Sequence, residues 1–381
     1  MSRPLRVLHV VPTFYPAAYW GGPIYSVYGL CNALAQRPEV ELRVLTTDSA
    51  GPRLHERLAT SGEVMLPAGY TVYYARRQFG VSGSLDLLGQ LWPMIRWADV
   101  VHITGVYSFP TIPALLGCRL FHKSIVWSPR GALQRWQGTR KRGVKRLWEW
   151  ACRSVMANRN SVLHVTSDME ARESLDRVRG ARASVIANGV EIPDAVPARA
   201  WQPGGQLRLL YIGRLDVKKG IENLIDALAE LETSVVLDIC GVGPEPYMQA
   251  LKERVQRSGV GARVRFHGHV DAKSSVFWNA DVCVVPSYTE NFAMVVAEAL
   301  AHGVSVIAST GTPWQALGEH DCGMWVANDP KTLASAIRDM RRRDLEALGA
   351  RGRKWMQREF GWESVAQRMR ALYCELVDAA R

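Results

Sequence analysis

Two series of alternating strands and helices, separated by a proline-rich stretch, constrain this chain more than any other feature. In the first series the strand-like apolar runs are residues 5–11, 41–46, 99–103, 124–127 and 161–166, with a helical pattern at 25–36. In the second series the strand-like runs are 207–212, 235–240, 264–267, 281–286 and 304–308, and the helical patterns are 221–231, 246–258 and 294–302. Such alternation predicts βαβ units built on parallel sheets.

The stretch between the two series, residues 192–206, has prolines at 193, 197 and 203 and no strand-like run, which is typical of a linker. A chain of 381 residues is also too long for one compact core. We therefore predict an α/β protein with a first domain at 1–192 and a second at 207–355. Ligands of such sheets bind at the carboxyl ends of the strands, so site residues are expected in the strand-to-helix turns.

Composition excludes several classes of protein. With 48% hydrophobic and 22% charged residues the chain can bury a core, which rules out wholesale disorder. No apolar run reaches the roughly 18 to 20 residues that span a bilayer, and the first residues lack the apolar region of a signal peptide. Seven cysteines lie far apart with no CxxC pair, unlike a zinc site or a disulfide scaffold. These features predict a reduced, cytoplasmic compartment.

The net charge of +11 is confined to the first half of the chain. Residues 1–190 contain 24 Lys and Arg against 12 Asp and Glu, whereas residues 191–381 contain 23 against 24. Such asymmetry indicates that the first half meets an anionic surface. The charge alone leaves open whether that surface is a membrane, a nucleic acid or an acidic substrate.

The clearest candidate for chemistry is the turn between the strand at 207–212 and the helix at 221–231. Arg214 leaves the strand end, and Lys219 stands just before the helix, whose first amides are unpaired and carry a partial positive charge. Two cations and a helix dipole at one place suit a diphosphate. The alternative is a solvated loop with two surface cations. The absence of GxxxxGK[ST] excludes a Walker A loop.

A second turn joins the strand at 282–285 to the helix at 294–302. Glu290 precedes this helix and Glu298 follows eight positions later, about 80° away around a helix axis. Both carboxylates can therefore lean to one side while the amides near residues 292–295 face a ligand, as a sugar-phosphate site requires. The alternative makes Glu290 a helix cap and Glu298 a surface residue.

A third turn contains two adjacent glycines, Gly21 and Gly22, between the first strand and the first helix. Their backbone allows a ligand to approach closely, and an ordinary flexible turn fits the segment as well. The segment Gly241-Val242-Gly243 follows the strand at 235–240. Because Pro246 stands where a dinucleotide fingerprint needs its third glycine, a tight turn is expected there.

Together these turns resemble a known family. The ordered set is Gly21-Gly22, Asn188-Gly189-Val190, Gly213-Arg214-Leu215 with Lys219-Gly220, Gly241-Val242-Gly243 and Glu290-x7-Glu298. It resembles the GT-B fold glycosyltransferases of family 4 over nearly the whole chain. The resemblance implies two facing, doubly wound Rossmann-like domains and a C-terminal segment at 356–381 whose helix crosses back to the first domain. It also implies transfer of a hexose from a nucleoside-diphosphate sugar with retention of anomeric configuration.

The resemblance implies roles for individual residues. Arg214 and Lys219 would hold the donor diphosphate and stabilise it as it leaves. Glu290 would bind sugar hydroxyls, and Glu298 would bind the ribose hydroxyls. The remaining donor contacts would come from Gly21 and Gly22 in the first domain and from Asn291, Phe292, Ala293, Met294 and Val295 in the second.

This chemistry needs no metal ion. Breaking a glycosyl–phosphate bond develops negative charge on the leaving diphosphate, which preorganised cations and amides stabilise. The sequence contains no Asp-x-Asp, the metal-binding motif of many other glycosyltransferases, so Arg214 and Lys219 would replace the metal. No cofactor is expected, and the donor substrate would be a UDP- or GDP-sugar.

Two segments depart from the family pattern. Arg130 stands where the family often has a histidine, and its guanidinium stays protonated near neutral pH and cannot act as a base. Either Arg130 binds a sugar or acceptor oxygen, or the family role has moved. His102 is a second candidate acceptor contact, with a hydrogen-bonded histidine at a strand end as the alternative. Gln315 replaces a usual glutamate, which leaves the contacts to the donor base open.

A basic helix with tryptophans follows Arg130. Residues 130–153 contain eight basic side chains and one acid, Glu149. The apolar residues at helical spacing are Val144, Leu147, Trp148, Ala151 and Val155. The pattern predicts an amphipathic helix that either meets anionic lipid headgroups or is a solvated helix face. The candidate membrane-facing residues are Arg140, Lys141, Arg142, Lys145, Arg146 and Trp150.

The sequence therefore predicts a retaining glycosyltransferase that extends a lipid-linked envelope, capsular or exopolysaccharide glycan on the cytoplasmic face of a membrane. A soluble transferase that makes a small glycoside would dispense with the basic helix. The alternative from another class is a non-catalytic module that binds membranes or nucleic acid. Because Arg214, Lys219, Glu290 and Glu298 are all present, we favour the enzyme and expect no nucleic-acid partner.

Overall fold

The chain forms two units, each organised around its own mainly parallel sheet. The computed structural model describes residues 3–134, 142–156, 158–270 and 273–380. The first unit comprises Met1–Gly189 and Trp362–Arg381, and the second comprises Val190–Gly361. The second unit includes the strandless 192–206 stretch. It also includes residues 356–361, which the sequence prediction places with the final helix.

The first unit contains eight described strands. In chain order they are β1 (Leu5–Val10), β2 (Val40–Thr47), β3 (Gly62–Met65), β4 (Thr71–Ala75), β5 (Val100–Thr104), β6 (Ser124–Ser128), β7 (Ser161–Val165) and β8 (Ala183–Val185). The helices between them are α1 (Gly22–Ala35), α2 (Leu85–Trp97), α3 (Thr111–Leu120), α4 (Arg142–Met156) and α5 (Asp168–Arg177). The sheet order is β3-β4-β2-β1-β5-β6-β7-β8, and the pair β3–β4 is antiparallel whereas the other neighbours are parallel.

Alternate residues of the central strands enter two different apolar clusters. Val7 of β1 and Val100 of β5 pack on one face, and Leu8 and Val101, their successors, pack on the other. All five residues of β5 are buried. A parallel strand covered by helices on both faces must be apolar nearly throughout, which is why these strands stand out in the sequence.

The second unit repeats this plan with six described strands. They are β9 (Leu207–Ile212), β10 (Val235–Cys240), β11 (Val264–Gly268), β12 (Val282–Val285), β13 (Ser305–Ser309) and β14 (Gly323–Val326). Its helices are α6 (Ile221–Ala229), α7 (Glu245–Arg257), α8 (Lys273–Trp278), α9 (Met294–Ala301), α10 (Pro330–Arg341) and α11 (Leu345–Glu359). The order β11-β10-β9-β12-β13-β14 is parallel throughout.

The last helix, α12 (Trp362–Asp378), belongs to the first unit, so the predicted return of the chain is confirmed. Its buried residues recur every three or four positions, as a helix with one apolar face requires, and they join the cluster that covers one face of the first sheet. The Ser124 hydroxyl of β6 donates to the Leu376 carbonyl at 3.0 Å. This helix therefore completes the core of the first unit.

The aromatic ring of Trp362 fixes the start of α12 against two glycines. A Cβ atom added to Gly29 or to Gly189 would lie 2.2 Å from a carbon of this ring. Gly189 belongs to the Asn188-Gly189-Val190 motif of the sequence. Its requirement for glycine thus has a steric cause, because the ring occupies the space that a side chain would need.

Several elements are absent from the sequence prediction. It contains no strand between residues 47 and 98, where β3 and β4 lie, and it lacks β8 and β14. β3 alternates between half-buried and exposed residues, and β8 has only three residues. Short strands at a sheet margin bury few side chains and carry a weak apolar signal.

Within the described residues, none of the helices has the length and apolar character that crossing a bilayer requires.

We predict that Gly189→Ala destabilises the first unit. The added methyl group clashes with Trp362, and overpacking of this kind costs about 1–3 kcal/mol of unfolding free energy. Chemical denaturation measures the change. Gly89→Ala is the matched control, because Gly89 is an exposed position of α2 where a Cβ meets nothing within 4 Å. That substitution should stabilise the protein by up to about 1 kcal/mol. Equal stability of Gly189→Ala and the wild type would contradict the packing argument.

Candidate functional site

The two turns that the sequence singles out meet at the centre of the second sheet. β9 lies between β10 and β12, so the connection after β9 and the connection after β12 leave towards opposite sides of the sheet. This arrangement is the switch point at which open α/β sheets bind ligands. The Tyr288 amide, after β12, donates to the Lys218 carbonyl, after β9, at 2.8 Å.

Glycines allow these turns to lie in direct contact. Gly220 has a φ of 61°, and a Cβ there would lie 2.2 Å from the Pro286 carbonyl oxygen. A Cβ on Gly241 would lie 1.8 Å from the Gly213 carbonyl oxygen. The Gly241-Val242-Gly243 segment is therefore explained by close packing of its loop on the loop after β9, where the Leu215 amide donates to the Val242 carbonyl at 2.9 Å.

Lys219 and Glu290 form an ion pair between the two turns. The Lys219 ammonium contacts Glu290 Oε1, and the Ser287 hydroxyl donates to the same oxygen at 2.9 Å. Both charged side chains are largely buried, with 19% and 12% of their side-chain surface exposed. The Glu290 amide donates to the Gly311 carbonyl at 2.9 Å, which ties the turn to the loop after β13. A cation and a carboxylate are thus held at one point of the strand edge.

Arg214 differs from Lys219 in its surroundings. Its side chain is exposed and makes no hydrogen bond or ion pair with any described residue. Its carbonyl oxygen accepts a hydrogen bond from the Tyr211 hydroxyl at 2.8 Å, so the backbone of the turn is held while the guanidinium projects into solvent. Of the two predicted diphosphate ligands, one is therefore paired with a carboxylate and one is free.

The predicted helical relation between Glu290 and Glu298 is wrong, because α9 begins only at Met294 and Glu290 lies in the loop before it. Glu298 is on α9, where its Oε1 accepts from the Lys273 ammonium at 2.8 Å. The two glutamates thus have different cationic partners, Lys219 and Lys273. The sequence analysis gave Lys273 no role, and no pattern in the sequence marks it.

The start of α9 presents amides at the same edge. Ala293, the residue before the helix, has φ 59° and ψ 66°, a left-handed conformation that is uncommon for a residue with a Cβ. The amides of Met294 and Val295 in the first turn lack intrahelical acceptors by helix geometry. Phe292 has another function, since its ring is buried 5.1 Å from that of Trp314, whose indole donates to the Phe292 carbonyl. Asn291 is partly exposed beside it.

In the first unit, the glycine turn lies open. Gly21 precedes α1 with a φ of 66°, and a Cβ there would meet no atom within 4 Å. Gly22 is the first residue of α1 and is followed by Pro23, whose fixed φ suits a helix start. The backbone at the end of this connection is therefore accessible.

His102 is a core residue in this structure. It is fully buried in β5, its Nε2 lies 2.6 Å from the Ser128 hydroxyl, and its Nδ1 lies 2.6 Å from the Tyr373 hydroxyl of α12. Both ring nitrogens are occupied, so in this arrangement the ring has no atom to offer an acceptor. The structure agrees with the hydrogen-bonded alternative.

His102 is part of a hydrogen-bonded chain with one direction. His164 Nε2 lies 2.9 Å from the Ile186 carbonyl, an acceptor only, so Nε2 carries the proton and Nδ1 accepts from Ser128 at 2.6 Å. The Ser128 oxygen then accepts from His102 Nε2, and His102 Nδ1 accepts from Tyr373. Each ring must be neutral for this chain to exist, because an imidazolium cannot accept a hydrogen bond.

A third histidine, His9 of β1, stacks on His102 with 4.2 Å between ring centroids. Its ring nitrogens lie 2.9 Å from the Thr104 hydroxyl and 3.3 Å from the Cys31 sulfur. Burial, together with the positive charge of Arg130, lowers the pKa of both His9 and His164 to about 3. Burial also lowers the pKa of His102 well below its ordinary value. The cluster is therefore uncharged at neutral pH.

Arg130 follows β6 in a left-handed backbone conformation with a φ of 53°. Its guanidinium donates to the Asn188 side-chain oxygen. The next amide, of Gly131, donates to Glu170 Oε1 at 2.6 Å, and Glu170 Oε2 accepts from the Thr166 amide at 2.7 Å. The buried Glu170 carboxylate thus fixes the turn that carries Arg130. The sequence analysis did not identify Glu170 or Asn188 in these roles.

Helix α4 carries part of the predicted membrane-facing set. Arg140 and Lys141 lie outside the described residues, and nothing is described of the Arg142 side chain. Arg146 is exposed, as is Trp150 at 68%. Lys145 instead lies 4.7 Å from the Tyr107 ring centroid. Leu147 was expected on the apolar inner side but is 67% exposed.

The comparisons with known proteins agree with these observations. The sequence model described as Glycosyltransferase Family 4 matches residues 20–192, and that described as Glycosyl transferases group 1 matches residues 206–342. The chain belongs to the family 4 glycosyltransferases. Retaining, metal-independent transfer of a sugar fits this family. In the described part of the chain, no group of three His, Cys, Asp or Glu side chains is placed to hold a metal ion.

Two curated relatives and one solved structure illustrate the similarity. A GDP-mannose-dependent alpha-(1-6)-phosphatidylinositol dimannoside mannosyltransferase of Mycobacterium tuberculosis is 28% identical over 52% of the chain, and the match spans about half of that relative, 53%. The phosphatidyl-myo-inositol mannosyltransferase of Mycobacterium leprae is 28% identical over 93% of the chain and 92% of its own length. Anabaena Alr3699/HepE, solved in complex with UDP, has a TM-score of 0.74 at 16% identity and covers 97% of this chain and 100% of its own. The fold is GT-B.

We predict that the histidine cluster makes this glycosyltransferase less stable as the pH falls from 7 to 5. In the unfolded chain each histidine binds a proton near pH 6.5, whereas His9 and His164 stay neutral in the fold down to about pH 3. Protons therefore favour the unfolded state, at roughly 2 kcal/mol per histidine by pH 5. Urea unfolding at several pH values measures this dependence. His164→Asn should reduce the slope, and a flat profile between pH 7 and 5 would contradict the assignment.

Proposed function

We propose that this chain transfers a hexose from a UDP- or GDP-sugar to an acceptor glycan, with retention of configuration and without a metal ion. The observation that carries the proposal is the Lys219–Glu290 ion pair at the switch point of the second sheet. A diphosphate attracts the ammonium, and sugar hydroxyls are suited to donate to the carboxylate. The free Arg214 guanidinium and the amides at the start of α9 add positive charge at the same strand edge.

The proposed reaction begins with exchange of partners. The donor diphosphate takes Lys219 from Glu290, and Glu290 is released to bind hydroxyls of the sugar. The bond between the anomeric carbon and the phosphate oxygen then breaks, and its electron pair stays on the leaving diphosphate. Lys219, Arg214 and the α9 amides stabilise this charge, which is greater in the transition state than in the bound donor. The acceptor hydroxyl oxygen forms the new bond to the anomeric carbon, and its proton passes to an oxygen of the leaving diphosphate.

Glu298 is proposed to bind the ribose of the donor. Its carboxylate is partly exposed and is held by an ion pair with Lys273, which orients it for hydroxyl donors. Gly21 and Gly22 are proposed to approach the donor from the first unit, where the backbone is open. Both assignments follow the family resemblance, and the structure supports them through exposure and orientation of the strand-edge loops.

We propose a lipid-linked acceptor reached at an anionic membrane surface, on its cytoplasmic face. Helix α4 supports this, because its exposed side carries Arg146, Leu147 and Trp150, a combination of charge and apolar surface suited to the headgroup region. The two mycobacterial relatives are also named as mannosyltransferases of phosphatidylinositol lipids. The pathway would be the assembly of an envelope, capsular or exopolysaccharide glycan.

Replacement of Lys219 or Glu290 by alanine is predicted to lower kcat/KM at least 100-fold, since each removes a charge that acts on the transition state. Initial-rate assays with a panel of nucleotide sugars measure the loss. Lys252→Ala is the matched control, because Lys252 is exposed on α7, away from these turns. Addition of EDTA should leave the rate unchanged. Full activity of both variants, or loss of activity in EDTA with recovery in manganese, would refute the mechanism.

The double substitution Leu147→Ser with Trp150→Ser is predicted to reduce binding to liposomes of anionic phospholipid at low salt at least ten-fold. The change removes exposed apolar surface without altering the charge of α4. Cosedimentation measures the bound fraction. The control pair is Leu85→Ser with Trp92→Ser, which removes a similar exposed pair from α2. If the wild-type protein does not bind anionic liposomes, the membrane proposal is refuted, and a soluble acceptor that yields a small glycoside is favoured.

A further inference from the structure

Two buried or half-buried arginines elsewhere in this protein, Arg77 and Arg199, also have an Nε without a partner, but their other guanidinium nitrogens donate to several protein oxygens. The Arg77 guanidinium, which is fully buried in the first unit, donates to the carbonyls of Gly51 at 2.7 Å and Glu56 at 2.8 Å and to the Ser49 hydroxyl at 2.9 Å. Arg199 in the second unit donates to the Gly303 carbonyl at 2.6 Å and to two further carbonyls. These side chains cross-link backbone segments and need no external partner.

Arg130 does not follow this pattern. Among the described residues its guanidinium has one hydrogen-bond partner, the neutral side-chain amide of Asn188, and it forms no ion pair. The side chain is only partly exposed, and its Nε is buried without a partner. A cation withdrawn from water without a compensating anion is costly, so the position is unfavourable for the free protein.

Burial lowers the pKa of Arg130, and the attraction of the nearby Glu170 carboxylate partly offsets this, although the two side chains form no ion pair among the described residues. His9, His102 and His164 are neutral because their hydrogen bonds and burial require it. The buried Glu170 carboxylate directs its oxygens to the backbone amides of Gly131 and Thr166. The guanidinium therefore has no carboxylate in direct contact, and it keeps N–H donors available for a ligand at the carboxyl ends of the central strands.

The backbone at Arg130 is itself unusual. A left-handed conformation at a residue with a Cβ costs of order 1 kcal/mol and persists only where the surroundings enforce it. Here Glu170 enforces it through the Gly131 amide, and Asn188 fixes one guanidinium nitrogen. The side chain is thus preorganised by two independent contacts, although neither neutralises it.

We propose that Arg130 is the anchor for an anionic group, a phosphate or a carboxylate, on the acceptor substrate held by the first unit. The planar guanidinium offers paired N–H donors that match either group in a bidentate contact. This inference rests on the proposed function for the identity of the substrate as an acceptor. It extends that function by giving the acceptor a negative charge.

The test compares two anionic sugars with a neutral sugar and with free phosphate. It uses the full chain in buffer of constant ionic strength. Glucose 6-phosphate, glucuronic acid, glucose and inorganic phosphate are titrated in a thermal-shift assay, because a ligand of the folded state raises the midpoint. We expect one or both anionic sugars to bind at least ten-fold more tightly than glucose and than free phosphate. The tighter of the two identifies the anionic group. Equal binding of inorganic phosphate would reduce the site to one for free anions and overturn the proposal.

Variants separate this site from the donor site. Arg130→Met should abolish the preference for the anionic sugars, Arg130→Lys should retain part of it, and Lys219→Met should leave it intact. If Lys219→Met loses the preference, whether or not Arg130→Met also loses it, the anion binds with the donor phosphates and the proposal is overturned. Binding that none of these substitutions changes would also overturn it. Turnover is not the readout, so failure here leaves the kinetic test of Lys219 and Glu290 unaffected.

The melting point of the free variants adds a further readout. Arg130→Met removes a cation with a single hydrogen-bond partner and should melt close to the wild type, whereas Arg77→Met removes a cross-link with several hydrogen bonds and should melt several degrees lower. A large loss of stability in Arg130→Met would show that Arg130 is a structural residue like Arg77. Retained stability with lost anion binding is the combination that the proposal requires.

Discussion

The second unit depends on close contact between two loops that leave neighbouring strands, and the Lys219–Glu290 ion pair joins them. The contact is possible because Gly220 has no side chain to collide with the Pro286 carbonyl. Opposite charges held this close are only partly exposed to water, so their attraction is stronger than at an open surface. In the mechanism that we propose, the diphosphate and hydroxyl groups of the donor replace this attraction with contacts of their own.

The first unit has a different electrostatic design. Its central strands end over three neutral histidines, two of which are joined into a hydrogen-bonded chain from Tyr373 of α12 to the Ile186 carbonyl. Since Ile186 lies two residues before Asn188, this chain helps to fix the segment that holds Arg130. This neutral, buried histidine cluster beside the partly exposed Arg130 contrasts with the paired charges of the second unit. We therefore propose a different kind of site for each unit, a donor site in the second and a site for a charged acceptor in the first.

Much of the fold was accessible from the sequence, for a definite reason. Central parallel strands such as β5 and β12 are covered on both faces and must be apolar, so they appear as continuous runs. The marginal strands β3 and β8 bury little and were missed. In the candidate site, Arg214, Lys219 and Glu290 were found because each stands beside a strand or helix end. The helical relation proposed for Glu290 and Glu298 failed because α9 begins at Met294, four residues after Glu290.

The sequence by itself determined the two α/β series and the residues at the strand ends, because hydrophobic periodicity and turn residues are local properties of the chain. The return of the final helix followed from the family resemblance. Only the tertiary structure decided which charges are paired. Lys219 is 71 residues from Glu290, Lys273 is 25 residues from Glu298, and Arg130 meets Asn188 across 58 residues. Partners at such separations are set by how the strands are ordered in each sheet, which no local pattern encodes.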